Sequence, residues 1–303
     1  MNITIVGPGA VGSLWACKLH QAGHNVSLCS RSTSKHLPIK LDNLPEISFH
    51  NNDAQRLQQT DVLLITVKSW QVNNALLPLL DKIDPKTILL FMHNGMGAVD
   101  DLHSQISHFP IVLATTTHGA LKPSAQCVLH TGNGQTQIGA YNELGQQCSF
   151  LADVLNHALP SAAWNSDINA ALWNKLAINC AINPLTALHQ CKNGALAQPQ
   201  FQIEIQEIIT ELVQVMKANH IQVDEKSLLT TIYNVINATA ENYSSMHQDI
   251  HHKRNSEIDF ITGFLIKAAA KHHITLPKNR ALYESIKQIE HNWQSGESKI
   301  TTR

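Results

Sequence analysis

Three polar residues, Lys175, Asn179 and Asn183, interrupt a stretch otherwise built from Leu176, Ala177, Ile178, Cys180, Ala181 and Ile182. Their i, i+4, i+8 spacing puts them on one face of a helix. Buried amides without partners are costly, so a bound polar ligand is one explanation of the stripe and an exposed amphipathic face is the other. Pro184 leaves the carbonyl of Cys180 without its usual donor and disfavours helical geometry at Asn183. A break is therefore expected there, turning Asn183 toward a cleft. Further on, Glu257 is read as lying early in a long helical pattern, whose start Ser245-Met246-His247-Gln248 marks with capping-box form. A cap serine at Ser245 and a solvated Glu257 fit the same spacing as a binding role does. His247 and His251 stand at i, i+4, but no third ligand has a convincing spacing, so no metal site is expected.

A second chemical signature stands near the N-terminus. Gly7-Pro8-Gly9-Ala10-Val11-Gly12 is a G-x-G-x-x-G motif that follows a strand-like run and opens a helical one. In such a loop the first glycine permits a tight turn, the second lets the backbone approach a pyrophosphate, and the third lets helix and strand pack closely. The helix N-terminus adds free N–H groups and a partial positive charge. An ordinary glycine turn is the alternative.

Where an NAD-binding protein usually carries Asp or Glu for the ribose hydroxyls, Ser30-Arg31-Ser32 stands instead, with no acidic residue before Asp42. A guanidinium matches a 2′-phosphate in charge and forked geometry, and Ser30, Ser32 or Thr33 can add hydroxyls. The cofactor read from these residues is NADPH/NADP+; a solvated surface arginine is the alternative. Lys68 and Asn94 each follow a strand-like run, at the carboxyl ends where open α/β sheets bind ligands. A solvated lysine and an Asn-Gly turn would need no such role.

The elements that must position these residues fall into two kinds. Apolar runs of strand length at 3–6, 25–29, 62–67, 87–92 and 111–115 alternate with helical signals such as Val11, Leu14, Trp15, Leu19 and Ala22, with Gly23 placed to end that helix. Near-continuous apolar strands suggest a parallel sheet covered on both faces. Residues 127–140, with Gly132, Gly134 and Gly139, read as antiparallel strands or hairpins added to it. From Asp167 the period is helical: Ser166 or Asp167 can cap the helix carrying Lys175. Phe201, Ile205, Ile208, Leu212 and Met216 share one helix face, and Ile258, Ile261, Phe264, Leu265 and Ala268 another. The expected architecture is an α/β Rossmann-type dinucleotide-binding domain over 1–166 and an all-α substrate and catalytic domain over 167–303. The polar tail after Trp293 is expected to fray.

Composition narrows the partners. The 303 residues hold 22 Lys+Arg and 23 Asp+Glu, with formal charge −1. Residues 1–166 carry 9 basic and 10 acidic side chains, and the remainder 13 of each, so neither part has the basic field of a nucleic-acid or anionic-membrane partner. The apolar runs are too short to span a bilayer. The N-terminus lacks a basic segment and Gly and Pro interrupt its apolar run, so no signal peptide is expected. Six cysteines without a Cys-x-x-Cys pair fit reduced thiols in the cytoplasm. Histidine, 18 of the 303 residues, is over-represented without an evident reason.

Taken together, the residues resemble the ketopantoate reductase (2-dehydropantoate 2-reductase) family. The glycine loop carries the likeness, with Val67-Lys68-Ser69-Trp70, His93-Asn94-Gly95-Met96-Gly97, Leu172-Trp173-Asn174-Lys175-Leu176-Ala177-Ile178-Asn179, Ile182-Asn183-Pro184-Leu185-Thr186-Ala187, Asn193-Gly194, Ala240-Glu241-Asn242-Tyr243-Ser244-Ser245-Met246 and Glu257-Ile258-Asp259. Departures are Pro8 inside the glycine loop and His93 in place of a commoner glutamine. The resemblance implies NADPH-dependent reduction of the C2 ketone of ketopantoate to (R)-pantoate. It implies Lys175 as catalytic acid and Glu257 as its partner. Asn179, Asn183, Asn193, Asn242 and Ser245 would surround the substrate. Gly7, Gly9, Ala10, Val11, Gly12, Arg31, Lys68 and Asn94 would lie on the cofactor side. It also implies an interdomain cleft that closes on the substrate, in a monomer or homodimer. A reductase of another 2-oxo acid and a non-catalytic NADPH sensor are the competing readings; the sensor would not need Lys175 with Glu257.

Overall fold

Near-continuous apolar runs become the central strands of a sheet in the computed structural model, which describes residues 1–294. From residue 295 on, the tail expected to fray lies outside the described residues. Residues 1–93 and 98–171 form one compact unit, and residues 94–97 with residues 172–294 form a second.

Among the described residues the first unit carries an 11-stranded sheet. Its strands are β1 (Asn2–Val6), β2 (Asn25–Cys29), β3 (His36–Leu41), β4 (Ile47–Asn51), β5 (Val62–Ile65), β6 (Ile88–Phe91), β7 (Ile111–Thr116), β8 (Gly119–Leu121), β9 (Cys127–Gly132), β10 (Thr136–Ala140) and β11 (Ala162–Trp164). Five helices accompany them: α1 (Ala10–Gln21), α2 (Ala54–Gln58), α3 (Val72–Leu80), α4 (His103–Ile106) and α5 (Leu151–Ala158). The central order β4-β2-β1-β5-β6-β7 is parallel throughout, the doubly wound arrangement expected from the sequence. Register aligns Val6 with Cys29 and with Ile65. The glycine loop, the Arg31 segment and Lys68 therefore leave the sheet at one carboxyl edge.

The segment 127–140 is one arm of a long bent hairpin. Thr116 faces Thr136 in the β7–β10 part and Gly119 faces Gly132 in the β8–β9 part. The far arm pairs β9 with β3 (Lys40 opposite Cys127), so α1 is packed by β3, β8 and β9 as well as by β1 and β2. That enclosure explains why α1 buries Leu14, Trp15, Ala16, Cys17 and Leu19 rather than one apolar stripe. Strands β3, β4, β8 and β11 were not legible as apolar runs. β3 carries Pro38, and β8 and β11 are 3 residues long each.

The second unit is helical: α6 (Ile168–His189), α7 (Gln202–Ala218), α8 (Glu225–Ala238), α9 (Ser245–His251), α10 (Thr262–Lys271) and α11 (Pro277–Gln294). The Phe201, Ile205, Ile208, Leu212 and Met216 face is buried against Ile232, Ile236, Leu265 and Ile286. Truncating one such residue to Ala costs roughly 2–5 kcal/mol.

Three local expectations are corrected. The chain does not break at Pro184: α6 continues to His189, and the Thr186 hydroxyl donates to the carbonyls of Ile182 and Asn183. Pro184, Ala181, Ile182 and Leu185 are all buried, so core packing outweighs the local cost of proline. Glu257 is not in a long helix. α9 ends at His251, and the Lys253 and Arg254 N–H groups fold back to the carbonyls of Ile250 and Asp249, with Lys253 left-handed at φ 51°. Glu257 then precedes a single 3₁₀ turn, Ile258–Phe260. The cap of α9 is Ser244, whose hydroxyl accepts the His247 N–H, and not Ser245, which is exposed.

Candidate active site

In the first unit the three glycines have three different environments. Gly7 has φ +86°, and a Cβ there would collide with Val67. A Cβ on Gly12 would collide with Thr66 Oγ1 and the Gly7 carbonyl. Both glycines are therefore required by the turn and by helix–strand packing. Gly9 is required by neither: a Cβ would meet only the Gly7 carbonyl, at 3.9 Å, and its φ is −70°. A glycine that the protein's own packing does not demand fits close approach by a ligand.

The loop's carbonyls are all taken from within. The Gly7 carbonyl accepts from Gly9 N–H (2.7 Å) and Thr66 Oγ1 (2.8 Å), and the Gly9 carbonyl from Ser13 N–H (2.9 Å). The Pro8 carbonyl accepts from Ser13 Oγ (3.0 Å) and Lys122 Nζ (2.6 Å), and Lys122 also donates to Ser13 Oγ (2.8 Å). Burial holds the Lys122 ammonium below the usual lysine range, with Cys17 opposing. The polarity left facing outward is that of the first-turn N–H groups of α1, which a phosphate would satisfy.

Arg31 is exposed on the segment after β2. Two asparagines at the end of β4 hold that segment in place. Asn52 donates to the carbonyls of Ser30 (3.0 Å) and Ser32 (2.9 Å) and accepts the Ser30 N–H. Asn51 donates to Ser32 and Ser34. Lys68 follows β5 at the head of a 3₁₀ turn, where its N–H donates to Gln71.

Asp167 caps α6 by accepting the Ala170 N–H, and in the second unit the helix carries Lys175, Asn179 and Asn183 on one face. Lys175 and Asn179 are partly buried; Asn183 is buried, as is Glu257 at 3% exposure. Burial lowers the Lys175 pKa to about 8, and the Glu257 carboxylate pulls it back up, so the two groups act on one another. Asn94 joins them: its amide donates to Glu257 Oε2 at 3.2 Å. The loop bearing Asn94 is fixed by the Met96 N–H, which donates to the Phe260 carbonyl (2.8 Å), and by Gly95, whose φ of +75° and contact with Phe260 leave no room for a Cβ.

Asn193 and Asn242 are brought together through the backbone, Asn193 N–H donating to the Asn242 carbonyl at 2.9 Å. Asn193 Nδ2 donates to Thr239, while its Oδ1 is buried and has no partner among the described residues. Asn242 and Ser245 are exposed. His247 and His251 stack at 5.9 Å, and no group of three or more His, Cys, Asp or Glu among the described residues is arranged to hold a metal.

Comparison with known proteins matches residues 3–143 to the family "Ketopantoate reductase PanE/ApbA" and residues 167–290 to its C-terminal counterpart. The chain is 54% identical over 293 residues to a 2-dehydropantoate 2-reductase of Vibrio cholerae, covering 97% of this chain and 99% of the relative. The chain belongs to the ketopantoate reductase family. Another member, the 2-dehydropantoate 2-reductase of Yersinia pestis, is 38% identical over 97% of each chain. Among solved structures, the PanE/ApbA family ketopantoate reductase from Ralstonia eutropha superposes with a TM-score of 0.86 at 25% identity, over 97% of this chain and 100% of that one. D-mandelate dehydrogenase in complex with NADH and anilino(oxo)acetate shares the fold, with a TM-score of 0.88 at 22% identity.

Sequence reasoning missed Lys122, Asn51 and Asn52. Lys122 lies in a polar connection between β8 and β9 and reaches the glycine loop only because the long hairpin folds over α1. Asn51-Asn52 looks like an ordinary turn, and the one local signal is that asparagine tolerates the left-handed φ of 55° found at Asn52.

Proposed function

We propose that the protein reduces 2-dehydropantoate (ketopantoate) to (R)-pantoate with NADPH, with Lys175 as the general acid. One observation carries the proposal most: a partly buried lysine and a buried carboxylate, far apart in the helical unit's sequence, act on one another with Asn94 hydrogen-bonded to the carboxylate. A sensor that only bound the cofactor would have no use for that arrangement. Residues 1–166 would serve the cofactor and 167–303 the substrate.

The glycine loop and α1 would hold the pyrophosphate, Arg31 the 2′-phosphate, and Lys68 the neighbouring part of the cofactor. When bound, the reduced nicotinamide supplies a hydride to the ketone carbon. Negative charge then grows on the ketone oxygen, where the Lys175 ammonium stabilises it and delivers the proton. General acid catalysis of this kind contributes about 10²–10⁴-fold, and a preorganised cation adds electrostatic stabilisation. The substrate's carboxylate and hydroxyl suit the amides of Asn179, Asn183, Asn193 and Asn242 and the Ser245 hydroxyl, with Glu257 as the acceptor. The unpartnered Asn193 Oδ1 is one group such a ligand would satisfy. The chain acts in the cytoplasm as a monomer or homodimer; no described helix is long and apolar enough to cross a membrane.

The test is NADPH consumption with 2-dehydropantoate set against other 2-oxo acids at equal concentration. The proposal expects the highest kcat/KM for 2-dehydropantoate. Preference for another 2-oxo acid would reassign the substrate. NADPH binding without turnover of any of them would favour the sensor.

A further inference from the structure

Glu257 sits where the chain leaves α9 and has not yet entered α10. Its own carbonyl is held by the turn that follows, accepting the Phe260 and Ile261 N–H groups (3.0 and 3.1 Å), while the residue before it is held by the last helix. Glu290 of α11, itself 5% exposed, accepts the Ser256 N–H at 2.8 Å and the Ser256 hydroxyl at 2.7 Å through one oxygen. The Ser256 oxygen in turn accepts the Ile258 N–H (3.2 Å). Glu290 thus holds Ser256 by backbone and side chain and, through that hydroxyl, the Ile258 N–H on the far side of Glu257. The other Glu290 oxygen pairs with Lys287 (3.1 Å), and Lys287 reaches Asp259 (2.9 Å), which also accepts from the Tyr283 hydroxyl (2.7 Å). Tyr283, Lys287 and Glu290 stand at i, i+4, i+7 on α11, one helical face gripping the chain before and after Glu257.

We infer that Glu290 is a positioning residue for the reaction: through Ser256 it aims the Glu257 carboxylate at Lys175. The surroundings are those of a group kept for geometry. A buried carboxylate bonded to a backbone N–H, a hydroxyl and an ammonium is fully engaged, and nothing in its own contacts calls for a ligand. Its neighbours support the same frame. Lys287 loses hydration by burial, yet Asp259 and Glu290 outweigh that and raise its pKa, so it stays charged between them. The inference rests on the assignment of Lys175 and Glu257 to the chemistry.

The experiment compares Glu290→Ala, Glu290→Gln and Ser256→Ala with the wild type and with Glu257→Ala, measuring kcat, KM for NADPH and the pH dependence of kcat/KM. Glu290→Ala is expected to lose roughly 10–100-fold in kcat, the scale of a misplacement of about 1 Å in a site, with KM for NADPH unchanged. Glu290→Gln keeps an oxygen that can accept both Ser256 bonds and should restore most of that loss. Ser256→Ala keeps the backbone bond alone and should fall between them.

The decisive readout is the alkaline limb. Glu257 raises the Lys175 pKa, so a displaced Glu257 moves the limb to lower pH in Glu290→Ala. A purely structural role would scale kcat with the fraction folded and leave the limb in place. An unmoved limb, or wild-type kcat in Glu290→Ala, overturns the inference. If Glu257→Ala is itself fully active, the assignment of Glu257 has failed instead; a dead Glu257→Ala beside an unaffected Glu290→Ala refutes the positioning role alone.

Discussion

The glycine loop and the lysine helix offer polar groups to a ligand by opposite means. In the loop the groups are backbone N–H donors, left open because Gly9 has no side chain and because every carbonyl of Gly7, Pro8 and Gly9 is occupied from within. On α6 the groups are side chains, one ammonium and a series of amides, held by a helix that buries Trp173, Leu176, Ala177, Cys180 and Ala181 in the core. Fixed backbone dipoles suit an unchanging phosphate. A titratable side chain suits an oxygen whose charge changes during a reaction. The two regions should therefore fail differently: damage to the loop should appear in cofactor affinity, and damage to the helix in turnover.

The sharpest separation is expected from Lys175→Ala. Its kcat should fall by about 10²-fold or more, because no acid then meets the developing alkoxide, while NADPH affinity measured by fluorescence titration stays within error of the wild type. Parallel losses of affinity and turnover would erase the distinction between the regions.

Next in size is Arg31→Ala. A charge-assisted hydrogen bond contributes about 1.5–3 kcal/mol, so the NADPH-to-NADH ratio of kcat/KM should fall roughly 10–100-fold, with NADH use nearly unchanged. The discrimination should also weaken with added salt, since Arg31 is exposed. An unaltered ratio would move 2′-phosphate recognition to another residue, such as Ser32 or Lys35.

The smallest effect belongs to Lys122→Ala. It removes one of the two donors to the Pro8 carbonyl, the other being the Ser13 hydroxyl, without touching a first-turn N–H group. A net hydrogen-bond contribution of about 0.5–1.5 kcal/mol corresponds to a roughly 2–10-fold rise in KM for NADPH with kcat retained. A fall in kcat instead would mean that the hairpin serves the chemistry and not the loop.

These residues also show what a sequence discloses. The glycine loop is legible because Gly7 and Gly12 answer local steric demands and Gly9 completes the motif, and the α6 stripe because a helix repeats its faces at a fixed spacing. The parallel sheet followed from apolar runs long enough to be buried on both faces. What remained hidden depends on segments far apart in the chain. Lys122 meets Pro8 across 114 positions, Asn94 meets Glu257 across 163, and no local pattern encodes either contact. Pro184 misled for the same reason: its cost to the helix is local, while the core that retains the helix is assembled from α7, α8 and α10. Glu257 was read as helical because its apolar neighbours Ile258 and Ile261 keep helical spacing across a real break.

The most direct measurement is the pH dependence of kcat/KM in both directions of the reaction. In the proposed mechanism reduction needs the Lys175 ammonium, whose pKa burial lowers to about 8 against the pull of Glu257. The account predicts reduction at its plateau below that pH and declining above it, oxidation of pantoate rising through the same region, and neither limb in Lys175→Ala. A wild-type profile flat from about pH 7 to about pH 9, or an unchanged limb in Lys175→Ala, would contradict it.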